Sequence, residues 1–293
     1  MLSGVADSLA ELLSRSEQIS KFAEQQNQRR DELSRKARQR DMKSVFERQM
    51  REALVASGLE AEPQVMLAVY PPEGTDFSRL MHRGSPDEKS ESIILSPPRI
   101  REHGFGLDIS EPTEVRTRDT RRFLKTGHKL REVSRSGLIV AVQKGNHEFL
   151  SWDIYKKPES PYCINPFVLA EFSFVFSLFA AELLGYTAET LASLICRIRL
   201  GRMCAEDRRP QLVPAEFPKD GSPQVADSPL IAPSCELDET FKIPAGTPPG
   251  RMAYEFANRV YAWFGFNQSP IPYGRNVDGG PVIDQQSLGV RAD

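Results

Sequence analysis

A chain of 293 residues with 40% hydrophobic and 9% aromatic content can hold one large domain or two small ones around a real core. Its formal charge of −2 excludes a global attraction to nucleic acid or anionic membrane, so binding of that kind must come from local patches. The four cysteines, at 163, 196, 204 and 235, show neither CxxC spacing nor a nearby histidine, which predicts reduced thiols acting as small hydrophobes and no zinc site.

Residues 5–57 lack glycine and proline and are rich in good helix formers. Val5, Leu9, Leu12, Ile19 and Phe22 follow helical spacing, as do Met42, Val45, Phe46, Met50 and Leu54. Between them only Leu33 and Ala37 keep the stripe, so two amphipathic helices with a polar middle, or one long helix, are expected. That gap argues against a sustained coiled coil. Residues 21–51 hold ten basic groups against five acidic ones, either a solvated face or a surface that tracks phosphates.

Gly58 ends the helical region. QVMLAVY at 64–70, stopped by Pro71 and Pro72, reads as a buried strand. Short strands are expected at 93–95 and 104–110. The runs 129–135, 138–143 and 147–155, separated by turn residues, predict an antiparallel meander. PFVLAEFSFVFSLFAAELL at 166–184 has nearly the length of a membrane span. Glu171 and Glu182 inside it make a buried helix the better reading, since an intramembrane carboxylate costs about 2.5–3.5 kcal/mol. Asn165 is placed to cap this helix, Pro166 suits its first turn, and Gly185 sits where a left-handed C-cap would be. A strand over 190–200 follows. Six prolines in 206–234 predict an extended connector, then an edge strand at 235–243. Residues 251–264 form an amphipathic helix with Met252, Phe256, Val260 and Phe264 on one face.

No phosphate loop, dinucleotide fingerprint, HxxxH pair or GxSxG elbow is present. The histidines, at 82, 103, 128 and 147, stand apart. Asp108, Glu111 and Glu114 near a strand end could approach a metal, but their spacing matches no ligand pattern. The sharpest cluster is basic. Arg116, Arg118, Arg121, Arg122, Lys125, Lys129, Arg131 and Arg135 stand against Asp119 and Glu132. The first seven are the candidate phosphate-binding or nucleic-acid-binding residues, because arginine forks grip phosphates in pairs. The alternative is a solubilising loop and a charged edge strand. Phe149, Trp152 and Tyr155 lie beside this region, more suited to packing under the 166–184 helix than to stacking on a base.

Four segments, LAELLSRSEQISKFAEQQNQRRDEL, QVMLAVYPPEG, FVFSLFAAELLGYTAETLASLICRIRLGRM and RMAYEFANRVYAWFGF, resemble the region that follows the Schlafen AlbA-type DNA-binding domain in many bacterial proteins. The likeness is one of pattern. It implies nucleic-acid-associated regulation or defence against phage. The AlbA-type domain itself would lie upstream, so its binding and nuclease residues have no positions here.

The expected architecture is α+β: an N-terminal helical region over 1–58, an α+β domain over 59–266 with a mainly antiparallel sheet packed by one apolar helix and a C-terminal amphipathic helix, and a flexible tail over 267–293. The expected function is a non-enzymatic, cytoplasmic interaction module. Its expected partners are nucleic acid, through the basic patch, and a second copy or a partner protein, through Val5–Leu54. Neither cofactor, metal nor membrane enters this reading. The alternatives are a metal-dependent nuclease or other hydrolase, and a scaffold that oligomerises through its helices.

Overall fold

The computed structural model describes residues 2–81, 88–100, 104–152, 162–186, 191–213, 215–216, 224–225, 229–266 and 271–289. In chain order the elements are α1 (Leu2–Ser57), β1 (Gln64–Tyr70), α2 (Ser78–Met81), α3 (Glu88–Leu95), β2 (Thr113–Arg116), β3 (Thr120–Lys125), β4 (Lys129–Ser134), β5 (Ile139–Lys144) and β6 (Cys163–Ile164). Next come α4 (Pro166–Leu184), β7 (Ser193–Gly201), β8 (Gln211–Leu212), β9 (Ala215–Glu216), β10 (Gln224–Val225), β11 (Leu230–Ile231) and β12 (Leu237–Pro244). The last are α5 (Pro249–Trp263), β13 (Gly274–Val277) and β14 (Gly280–Ile283). Two units emerge, Met1–Val45 and Phe46–Asp293, with the boundary inside α1.

The second unit is built on a seven-stranded antiparallel sheet in the order β12-β7-β1-β5-β4-β3-β2. β1 lies near its middle, and all seven of its residues are buried. A strand covered on both faces needs no alternation, which explains the unbroken apolar run. Val65, Leu67 and Val69 join Ile139, Ala141, Cys196 and Ile198 in the main core with α4 and α5. Met66, Ala68 and Tyr70 point the other way, where the last turns of α1 cover them. The Phe46 ring lies 4.3 Å from that of Tyr70, and Arg197 of β7 binds Glu47 and Asp238. Gly58 ends α1 at φ +71, and a Cβ there would lie 3.0 Å from Thr126. The architecture is therefore α+β with a mainly antiparallel sheet, as expected.

α4 is the centre of the core. Asn165 accepts from the Phe167 and Val168 amides at 2.9 and 3.3 Å, and Pro166 opens the helix. It is the described helix long and apolar enough to cross a membrane, and 72% of its apolar window is buried inside the protein. Buried Glu171 accepts from the Tyr273 hydroxyl at 3.0 Å and the Phe105 amide at 3.3 Å. Those bonds offset the cost of its desolvation. α5 packs on α4 through Met252, Phe256 and Val260, each at most 1% exposed.

Several expectations are corrected. Residues 93–95 end α3 instead of forming a strand, because the preceding Glu, Lys and Ser positions start a helix whose last turn buries Ile94. Residues 147–151 turn instead of extending. The Asn146 carbonyl accepts from the Phe149 and Ser151 amides, and residues 153–155 lie outside the described ones. Gly185 is right-handed at φ −63, since the chain keeps turning through Tyr186. Cys204 and Cys235 are disulfide-bonded, while Cys163 and Cys196 are free and buried. The pairing of β7 with β12 sets Leu200 opposite Leu237 and so brings the two cysteines together just past the ladder. Residues 274–283, placed by the sequence reading in the tail, form the β13–β14 hairpin, and buried Ile283 joins the main core.

Candidate functional site

The basic cluster lies on the β2–β3–β4 end of the sheet, and most of it faces inward. Arg121 has no exposed side-chain surface. It donates to the Leu80 carbonyl at 3.1 Å, to Glu91 at 2.6 and 3.1 Å and to Glu114 at 3.1 Å. Arg116 pairs with the same two carboxylates. Arg122 donates to buried Glu132 at 2.5 Å. Arg131 is 3% exposed and donates to the carbonyls of Ile94, Leu95 and Leu107, closing the end of α3. Its guanidinium also lies 4.6 Å from the Phe123 ring centroid. Burial pushes the Arg131 pKa down to about 10 and lowers that of Lys129, while burial raises that of Glu132. Hydrogen bonding to Arg121 holds the Glu91 carboxyl below its usual range.

Four of the seven candidate residues are thus engaged with carboxylates or carbonyls within the protein. Lys129 is half-buried, and Arg118 and Lys125 are exposed. Arg121, whose guanidinium is engaged on all three nitrogens, has little left for a phosphate. This end of the sheet is an ionic clasp between α3 and the β2–β3 hairpin.

The other candidate groups are dispersed. Asp108 pairs with Arg99, and Glu114 is shared between Arg116 and Arg121. His128 lies 3.4 Å from Glu148, and His147 lies 3.3 Å from the Ser151 carbonyl. His82 and His103 are outside the described residues. Among the described residues no group of three or more His, Cys, Asp or Glu could hold a metal ion. Trp152, 47% exposed, rests on Phe105, and Phe149 packs edge-on against Phe172 of α4. A groove of about 360 Å³ between the end of α4 and the start of α5 is lined by Leu184, Leu191, Leu194, Pro249 and Met252. Its lining contains no titratable side chain, so it offers no acid–base chemistry.

What remains is α1. Every residue from 20 to 38 is exposed, including Phe22 at 62% and Leu33 at 67%. These two stand about three turns apart and so share one stripe. Lys21, Arg29, Lys36, Arg40 and Lys43 recur at helical intervals and fall on one side. Glu32 joins that side in a 2.7 Å pair with Lys36, whereas Glu24, Asp31 and Asp41 lie off it. Both features are present in the sequence, but a count of charges does not set the apolar stripe beside the basic side. The spacing of Phe22 and Leu33 was the available signal.

No known protein family, curated protein or solved structure matches the chain.

Proposed function

We propose that this chain is a non-enzymatic interaction module whose working element is the 20–43 stretch of α1, through which it associates with a second copy. The observation that carries this reading is the shared stripe of Phe22 and Leu33. The unit Met1–Val45 contains no element but α1 to cover it. Helices in water draw most of their stability from packing an apolar face, not from propensity. Light scattering of the full-length chain is expected to give at least twice the 32.9 kDa of one copy. Phe22→Ser with Leu33→Ser should return it to the monomer mass. Equal masses for the two proteins would remove the reading.

A second reading has its own support in the one-sided basic surface of α1. Its ligand is nucleic acid held through phosphates, and the pattern resemblance to the region after Schlafen AlbA-type domains favours the same setting. Affinity for duplex DNA or RNA should fall steeply with salt, because phosphate contacts release counterions. Arg29→Glu with Arg40→Glu should weaken it, and Arg118→Glu should leave it unchanged. Absence of binding at low salt would end this reading.

A cytoplasmic location belongs to the same proposal. The buried free thiols of Cys163 and Cys196 are compatible with it. The Cys204–Cys235 bond weighs against it, because such bonds persist mainly in oxidising compartments.

A further inference from the structure

We infer that the two copies pair antiparallel, with residues 2–19 of one α1 alongside residues 21–43 of the other; this rests on the self-association proposed above. The helix is electrically uneven along its length. By sequence, its first stretch carries Asp7, Glu11 and Glu17 against Arg15. Its second carries Lys21, Arg29, Arg30, Arg35, Lys36, Arg38, Arg40 and Lys43 against Glu24, Asp31, Glu32 and Asp41. The first is net acidic and the second net basic, and both belong to one continuous helix.

A parallel pair would set the basic stretch against its own copy. Like charges at adjoining positions of paired helices destabilise the pair, and charges flanking the seam choose its orientation. An antiparallel pair sets the acidic stretch against the basic one at both ends. The apolar positions suit that arrangement. Phe22 lies at the midpoint of 2–43, so in an antiparallel pair the two copies of Phe22 meet near the two-fold axis. Leu33 of each copy then faces the first stretch of the other. The occupant of the stripe is therefore a second copy of this helix, chosen by charge complementarity.

The sign of a charge reversal separates the two orientations. Full-length chain carrying Arg30→Glu and Lys36→Glu, basic positions near Asp7, Glu11 and Glu17 of the other copy in this register, compared with the parent by analytical ultracentrifugation at low ionic strength, should show a dimer dissociation constant raised at least tenfold. The difference should shrink as salt screens the charges. Parallel pairing predicts the opposite, a tighter dimer, because reversal relieves repulsion.

A spin label on Ser34→Cys supplies the geometry. Cys163 and Cys196 are buried and Cys204 is bonded to Cys235, so the added thiol is the accessible one. At 1.5 Å per residue the two labels should lie about 36 Å apart in the antiparallel pair. In a parallel pair they would lie within about 15 Å, close to the interaxial spacing of packed helices. A short distance, or an unchanged or tighter variant dimer, overturns the antiparallel assignment and leaves self-association standing. A parent chain that stays monomeric overturns both.

Discussion

Replacing Arg121 with alanine is expected to destabilise the fold by about 3–5 kcal/mol, the cost of removing one partner from a buried ion pair. The side chain is fully buried and serves the Leu80 carbonyl, Glu91 and Glu114 together. Without it the two carboxylates keep only Arg116, and the Leu80 carbonyl loses its bond to the guanidinium. Lysine should rescue little, because a single ammonium cannot reproduce the planar fork.

Urea unfolding of the two variants beside Arg118→Glu gives the comparison. The exposed Arg118 change should stay within about 0.5 kcal/mol of the parent. A comparably small loss for Arg121→Ala would show that the clasp is not a structural unit. The acid limb of the pH profile provides a second readout. The Glu91 pKa is lower in the folded chain than in the unfolded one, chiefly through its hydrogen bond to Arg121. Its stabilisation is therefore present above the unfolded value and lost as pH falls through the folded one. Arg121→Ala should flatten that part of the profile.

Phe176→Ala is the other large effect. Phe176 is fully buried in α4 and meets the Phe256 ring of α5 edge-on at 5.8 Å. Truncation removes the transfer energy of the ring and leaves a cavity between two helices that the sheet holds in place, a loss of about 3–5 kcal/mol. Thermal and urea unfolding should both show it. Phe176→Leu, which refills most of the space, should recover more than half. If alanine costs less than about 1 kcal/mol, α4 is not the centre of the core. Its 72% burial within the protein would then need another explanation.

The elements with clear periodicity were legible in the sequence. β1 stands out as a continuous apolar run, α4 as a long apolar stretch broken only by Glu171, Ser173, Ser177 and Glu182, and α5 through Met252, Phe256 and Val260 at helical spacing. The capping of α4 by Asn165 followed from residue type alone. The β2–β3 hairpin did not read as core, because its inward positions include Arg121. A buried arginine looks like surface until its partners are known, and Glu91 lies far back along the chain. The disulfide was equally invisible. Cys204 and Cys235 are 31 residues apart, and only the register of β7 on β12 brings them together. The candidate site was half legible. The charge of the two basic stretches could be counted from the sequence, but which one faces solvent is decided by the carboxylates packed around the 116–131 group.

The position of β1 has a consequence for synthesis. Ribosomes release this strand before either of its neighbours, yet its ladder is complete only when β5 and then β7 have emerged. A nascent chain that has reached the end of α4 therefore displays an unmatched strand edge and an apolar helix not yet covered by α5. Final closure waits for the return strand, and chaperones that shield the growing polypeptide through that interval would govern its yield.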